Sequence, residues 1–215
     1  TLLLEDEEEA ARRTVQQFTQ YDTLRDWVWV PSLTWAPNGR FLAFTNHGGD
    51  DSTDLLFNSW VVNVQTAVSG RLLDNSGIWA HLHWSPDPEG NIAFLQATDP
   101  LDSLRSSYTL WLMDSDGSYS RQIYPPAGEN SRFPADASFM TWGPTGQDIA
   151  FIFDDALHIY NLPSGQAFPI TQDDAVDSSP TWAPYGAGLR DELSETKLED
   201  GLSKLHKTHQ NRQTR

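Results

Sequence analysis

The chain contains no cysteine, which removes disulfides, thiolate metal sites and cysteine nucleophiles from its chemistry. Basic side chains are scarce too: 14 Lys and Arg stand against 30 Asp and Glu, for a formal net charge of -16. Nonspecific attraction to nucleic acid or an anionic membrane needs clustered positive charge, so neither partner is expected. No apolar run approaches the roughly 18–20 residues that cross a bilayer, and no membrane span is predicted. A Gly-rich phosphate loop, a His-Glu-x-x-His helix, a dinucleotide fingerprint and a Gly-x-Ser-x-Gly nucleophile elbow are all missing. The sequence therefore predicts no catalytic residue, no cofactor and no metal ligand set, and the chain by itself does not read as an enzyme.

What is present is large apolar surface. The 215 residues are 38% hydrophobic and 12% aromatic, with nine tryptophans, too rich for a mainly disordered chain and enough for a sizeable core. The acids concentrate before residue 189; the stretch 189–215 is nearly balanced in charge and reads as a polar, weakly helical tail through Leu198, Leu202 and Leu205. The start, Thr-Leu-Leu-Leu followed by acids, does not read as a signal peptide, and the Thr start leaves open a processed or trimmed product. Residues 5–21 are expected to form a helix with its acids at the N-terminal end, within an N-terminal acidic helix or linker over 1–25. Trp27 to Val30 alternate like a strand.

Four times the chain writes Trp-x-Pro, at Trp35, Trp84, Trp142 and Trp182, at intervals of about 40–60 residues. After the first three, a turn leads into an apolar run ending at Phe44, Phe94 or Phe151. Each unit, about 32–77, 78–130 and 131–174, reads as four short strands separated by Gly, Pro, Asn or Asp turns. The fourth, 175–188, opens and gains no further strand. The expected fold class is all-β: an incomplete β-propeller of about three four-stranded blades plus the start of a fourth, over 26–188.

The repeated Trp-x-Pro turn, followed by Ile92-Ala93-Phe94 and Ile149-Ala150-Phe151 and, in unit two, by Asp114-Ser115-Asp116-Gly117, resembles the TolB-like propeller repeat, one of the WD40-like propeller repeats. The resemblance covers about 32–186. It implies a binding surface in a periplasmic or extracellular setting, either as a stand-alone interaction module or as an accessory domain of a serine peptidase. It carries no catalytic residue onto this chain, because the hydrolase nucleophile belongs to a separate α/β domain.

The repeat residues Trp35, Trp84, Trp142, Trp182, Phe44, Phe94 and Phe151 are read as repeat core, since architecture needs the same side chain at equivalent places. Trp60, Trp79 and Trp111 stand outside the repeat register. Trp79, with His81 and His83, is the candidate partner contact; if 81–84 is a strand, both histidines share a face. Two histidines make an incomplete metal site. Asp114 to Gly117 reads as a turn rather than a calcium loop, which would need a glutamate at its twelfth position where Pro125 stands. The expected partner is a protein or peptide, with self-association through open blade edges as a second expectation.

Overall fold

The structure is a computed structural model of the chain, and it describes residues 2–6, 9–13, 33–47, 56–87, 90–133, 140–171 and 177–182. The chain divides into two units, Thr1–Trp182 and Ala183–Arg215. The second unit and the predicted tail lie outside the described residues, as does the predicted strand at Trp27 to Val30.

The expected N-terminal helix is corrected by the structure. β1 (Leu2–Asp6) and β2 (Glu9–Arg13) pair antiparallel, with Leu2 opposite Arg13 and Asp6 opposite Glu9. A helix through Glu5 to Glu9 would stack like charges three and four residues apart, which destabilises it. The strand register sets Glu5 opposite Ala10 and leaves Asp6–Glu9 as the one like-charged pair. The remainder of the predicted helix, from residue 14, lies outside the described residues.

Twelve further strands form three four-stranded antiparallel sheets, one for each Trp-x-Pro unit. The first contains β3 (Leu33–Trp35), β4 (Phe41–His47), β5 (Phe57–Asn63) and β6 (Ser69–Leu73) in chain order. The second contains β7 (His83–Trp84), β8 (Ile92–Ala97), β9 (Tyr108–Met113) and β10 (Ser120–Tyr124). The third contains β11 (Met140–Trp142), β12 (Asp148–Phe153), β13 (Ala156–Asn161) and β14 (Gln166–Pro169). The turns are those the sequence advertises: Gly39, Gly117, Gly146 and Gly165 all adopt positive φ, where glycine carries no Cβ penalty.

Strand alternation gives every sheet two distinct faces. Register places Trp35, Leu42 and Val62 in one row across the first sheet, Trp84, Ile92 and Met113 across the second, and Trp142, Ile149 and Tyr160 across the third. The neighbouring row on the same face reads Phe44–Trp60, Phe94–Trp111 and Phe151–His158. Trp60 and Trp111 thus do recur in register, contrary to the sequence reading. The loops between second and third strands differ in length from sheet to sheet, so linear spacing conceals a match that hydrogen-bonded pairing reveals.

The opposite faces of the first and second sheets each meet the next sheet. Ala43 packs in one buried cluster with Leu82, Ile92, Phe94 and Met113 of the second sheet. Ala93, Leu95, Leu110 and Leu112 share a second cluster with Met140, Trp142, Ile149 and Phe151 of the third. The core therefore lies between sheets. The small residue of each apolar run, Ala43, Ala93 or Ala150, is 0–5% exposed and leaves room for what the following unit brings.

Candidate functional site

The Trp-x-Pro tryptophans act as hooks. The Trp142 indole N–H donates to the His83 carbonyl at 2.8 Å, and Trp182 donates to the Thr141 carbonyl at 3.3 Å. Each acceptor is the residue just before the preceding hook, so the contact repeats from unit to unit. The Trp182 ring also lies against Gly143. Between the first two sheets the backbone N–H of Trp84 donates to the Thr34 hydroxyl at 3.0 Å. A proline two residues after Trp35, Trp84 and Trp142 removes an N–H and closes the strand, so the turn follows at once.

Trp142, Phe44, Phe94 and Phe151 are buried as the repeat requires, while Trp84 and Trp182 are half-buried. Trp35 departs from the expected core role: it is 45% exposed, against 8% for its register equivalent Trp142. No described sheet stands on the hook side of the first sheet to cover it.

The candidate contact residues Trp79, His81 and His83 fall on the lead-in to the second sheet. His81 has φ +43° and precedes β7, which holds only His83 and Trp84. The expectation that one strand aims both histidines at the same face is therefore corrected. His81 instead stacks on the Trp79 indole, with ring centroids 6.0 Å apart. His83 lends its carbonyl to the Trp142 hook, and desolvation holds its imidazole down at a pKa of about 4, neutral at physiological pH. Among the described residues no group of three His, Asp or Glu is placed to hold a metal ion.

Trp79 is held by its neighbours. Its backbone N–H donates to the Tyr108 hydroxyl at 3.3 Å, which itself donates to the Ser103 carbonyl at 2.7 Å. Ile78 N–H donates to the Ser103 hydroxyl at 3.3 Å. Burial pushes the Tyr108 phenol up to about 12, so it remains a donor. The approach is close at Gly77, where φ is +96° and an added Cβ would come within 2.7 Å of Ala97 Cβ and Tyr108 Oη. The Trp79 segment is thereby tied to the β8–β9 loop, residues 98–107, whose Ser103 is buried while Leu101 and Leu104 are 72% and 60% exposed. A short 3-10 turn, Pro100–Asp102, capped by Asp99, shapes that loop.

Comparison with known proteins bears on this architecture. The model of the dipeptidyl peptidase IV N-terminal region matches residues 93–182. TolB from Acinetobacter baumannii is similar over 81% of this chain and 38% of its own, with TM-score 0.51 and 16% identity. The fold is that of a β-propeller. Oligogalacturonate lyase from Vibrio parahaemolyticus is similar over 77% of this chain and 46% of its own, at TM-score 0.50 and 16% identity. At such identities the likeness is one of fold, and the chain spans less than half the length of either structure. No curated protein matches it by sequence. The three sheets are propeller blades, with β3, β7 and β11 as the strands that contact one another from blade to blade.

Between blades one and two lies a cavity of about 390 Å³, floored by Phe41, Leu72 and Trp84 and rimmed by Asn38 and Asp116. Asp116 sits in the β9–β10 turn, where the Ser118 N–H (2.9 Å) keeps its carboxyl below the usual range. Asp114 accepts from the Ser118 hydroxyl in the same turn. These bonds close the turn on itself, as the sequence reading expects. The link that begins at Pro125 contributes Phe133 to an aromatic group with Tyr124, Phe151 and Phe153. That part of the link is packing. The exposed pair Leu101 and Leu104 escaped the sequence reading because two isolated leucines in a loop carry no periodicity. The Asp-Pro at 99–100 and the serines at 103 and 106 are the signal of an ordered turn that was available. No helix among the described residues is long and apolar enough to cross a membrane.

Proposed function

We propose that this chain is a noncatalytic propeller scaffold that binds a protein or peptide through the loops at the Trp79 end of blade two. The observation that carries the reading is the β8–β9 loop. Its backbone is tied down through Ser103, Ser106 and Tyr108, yet it presents Leu101 and Leu104 to solvent. Apolar side chains held outward on an ordered loop offer contact area with little entropy left to lose on binding. Trp79 and His81, stacked beside that loop, would extend the contact; His83, committed through its carbonyl to the blade joint, would support it from beneath. The reading is tested by affinity capture with the whole chain as bait, beside a Leu101→Asp/Leu104→Asp bait. A specific protein retained by the first and lost from the second supports it. No specific protein on either bait defeats it.

A second reading has its own observation, the match of residues 93–182 to a peptidase's propeller region. The chain would then be the accessory propeller portion of a split or truncated serine peptidase-like hydrolase. Neighbouring coding sequence that holds further Trp-x-Pro units and a nucleophile elbow would favour this reading. Its absence, with no labelling of the chain by a serine-directed fluorophosphonate, would favour the scaffold.

A further inference from the structure

The joints between blades one and two and between blades two and three share one plan, and the first of them leaves a cavity. Val61 in blade one is equivalent to Leu112 in blade two, each paired with the alanine of its apolar run. Leu72 and Ile123 each sit where the fourth strand slips register against the third. From the following blade come the hooks, Trp84 and Trp142. Met113 and Tyr160 hold the same register place in those following blades, which makes Ser115 the equivalent of Leu162. At the second joint Leu162 packs onto the cluster that holds Leu112, Ile123 and Trp142. At the first joint the short side chain of Ser115 takes that place, and the cavity of about 390 Å³ opens among Val61, Leu72, Trp84 and Ser115. The hooks record the difference: Trp142 is 8% exposed, whereas Trp84 is only half-buried.

The lining of this cavity is apolar with one sign of charge. Trp84, Phe41, Val61 and Leu72 supply aromatic and aliphatic surface, and Asp116 carries the one charge among the described residues that line it. The Ser118 N–H, at 2.9 Å, holds the Asp116 carboxyl below the usual carboxylate range, so it is anionic at neutral pH. Asn38 Oδ1, which accepts from the Arg40 N–H at 2.9 Å, and the Ser115 hydroxyl bring further acceptors to the rim. Arg40 itself is exposed and does not line the cavity. We propose that the cavity takes a basic side chain, lysine or arginine, of a peptide partner. Its apolar stem lies on Trp84, Phe41 and Leu72, and its cationic head meets Asp116 at the rim. Long basic side chains bury their stems while the head stays in water, and an indole face attracts a cation. An anionic group would be repelled both by Asp116 and by a chain of net charge -16, whereas a cation is drawn by both. The volume stands at the small end of ligand sites, about 300–1,000 Å³, which suits one side chain. Strand β9 runs from the Leu101–Leu104 loop to the Ser115–Asp116 turn, so this site lies at the other end of blade two and is independent of the function proposed above.

An NMR titration of the isotope-labelled whole chain tests the idea, at about 0.15 M salt so that the general field of the chain is screened. The probes are end-blocked Gly-Gly-Arg-Gly-Gly and Gly-Gly-Lys-Gly-Gly, with the neutral norleucine counterpart beside them. Both basic peptides should bind in the millimolar range and shift the Trp84 indole and the Ser115 and Asp116 amide signals. The norleucine peptide should bind about fivefold more weakly, and Asp116→Asn should weaken the basic peptides by a similar factor, the upper range for an exposed ion pair. Ser115→Leu, which supplies the side chain that fills the second joint, should abolish the shifts without altering any charge. Asp102→Asn, which removes the same charge from the β8–β9 loop, and Leu101→Asp/Leu104→Asp should leave the affinity unchanged. Asp116 is exposed, so its variant reads the site without disturbing the packing. Equal binding of the norleucine peptide, shifts that persist in Ser115→Leu, equal losses in Asp102→Asn and Asp116→Asn, or no binding of either basic peptide would each overturn the proposal.

Discussion

Trp142→Phe and Trp35→Phe make the same chemical change at equivalent register positions, one inside a blade joint and one outside. Phenylalanine keeps most of the ring but removes the indole N–H and roughly 40 Å³ of volume, which at about 24 cal/mol per Å³ of unfilled cavity costs about 1 kcal/mol. At Trp142 the change also removes the 2.8 Å bond to the His83 carbonyl, which keeps its strand partner Ala93. One buried hydrogen bond contributes about 0.5–1.5 kcal/mol. The sum is about 2 kcal/mol for Trp142→Phe. At Trp35, 45% exposed, neither contribution is fully in place and the cost should stay near 0.5 kcal/mol, the range of ordinary surface substitutions. Urea unfolding followed by circular dichroism reads the difference, at low protein concentration so that association does not contribute. With an m-value of about 2 kcal/mol per molar, the Trp142→Phe midpoint drops by about 1 M. Equal midpoint shifts for the two variants would refute the hook as the element that couples blades, as would a negligible shift at Trp142.

Three further expectations concern the second blade. His83 has a folded pKa of about 4 against an ordinary 6.5. The unfolded chain therefore takes up a proton first as pH falls, and about 3 kcal/mol of stability is lost progressively from pH 6.5 to 4. Urea midpoints across that range should show the slope, and His83→Gln should flatten it; an unchanged slope in the variant would contradict the assignment. Tyr108, pushed up to about 12, should ionise after the exposed tyrosines in an ultraviolet titration, and stability should fall as pH climbs from 10 toward 12 because the unfolded phenol deprotonates first. Loss of the last tyrosine step in Tyr108→Phe confirms it; its persistence would not fit. Gly77→Ala should cost about 2–4 kcal/mol, combining a strained positive φ with an overpacked contact against Ala97 and Tyr108. A thermal melt matching that of the unaltered chain would disprove the close approach.

Much of the blade architecture is legible along the chain because it rests on local chemistry. Pro37, Pro86 and Pro144 end the first strand of each unit, Gly39, Gly117, Gly146 and Gly165 supply left-handed turns, and β-branched or aromatic runs fill the strands between. Ile92 to Leu95, Tyr108 to Met113 and Arg121 to Tyr124 are such runs, and β8, β9 and β10 begin and end within two residues of them. Less of the candidate site was readable. Alternation across His81 to Trp84 suggests a strand, but His81 takes a left-handed conformation while Trp79 is bonded to Tyr108, a residue 29 positions away. Nor does local sequence reveal that Trp60 and Trp111 are equivalent, since their loops vary in length and only inter-strand bonds align them. The pairing of Leu2–Asp6 with Glu9–Arg13 is not legible in the sequence because acids before an apolar stretch suit a helix start, and the opposing repulsion along a helix leaves no local mark.

By itself the sequence determined the all-β class, the number of units and the position of each hook, since turn geometry and side-chain alternation act over a few residues. Only the tertiary structure decided what the hooks do. Trp35, Trp142 and Trp182 stand in the same motif, yet Trp142 is buried, Trp182 bonds Thr141, and Trp35 faces solvent. That difference depends on which sheet stands beside each tryptophan, and adjacency between sheets arises from long-range packing that no local pattern encodes.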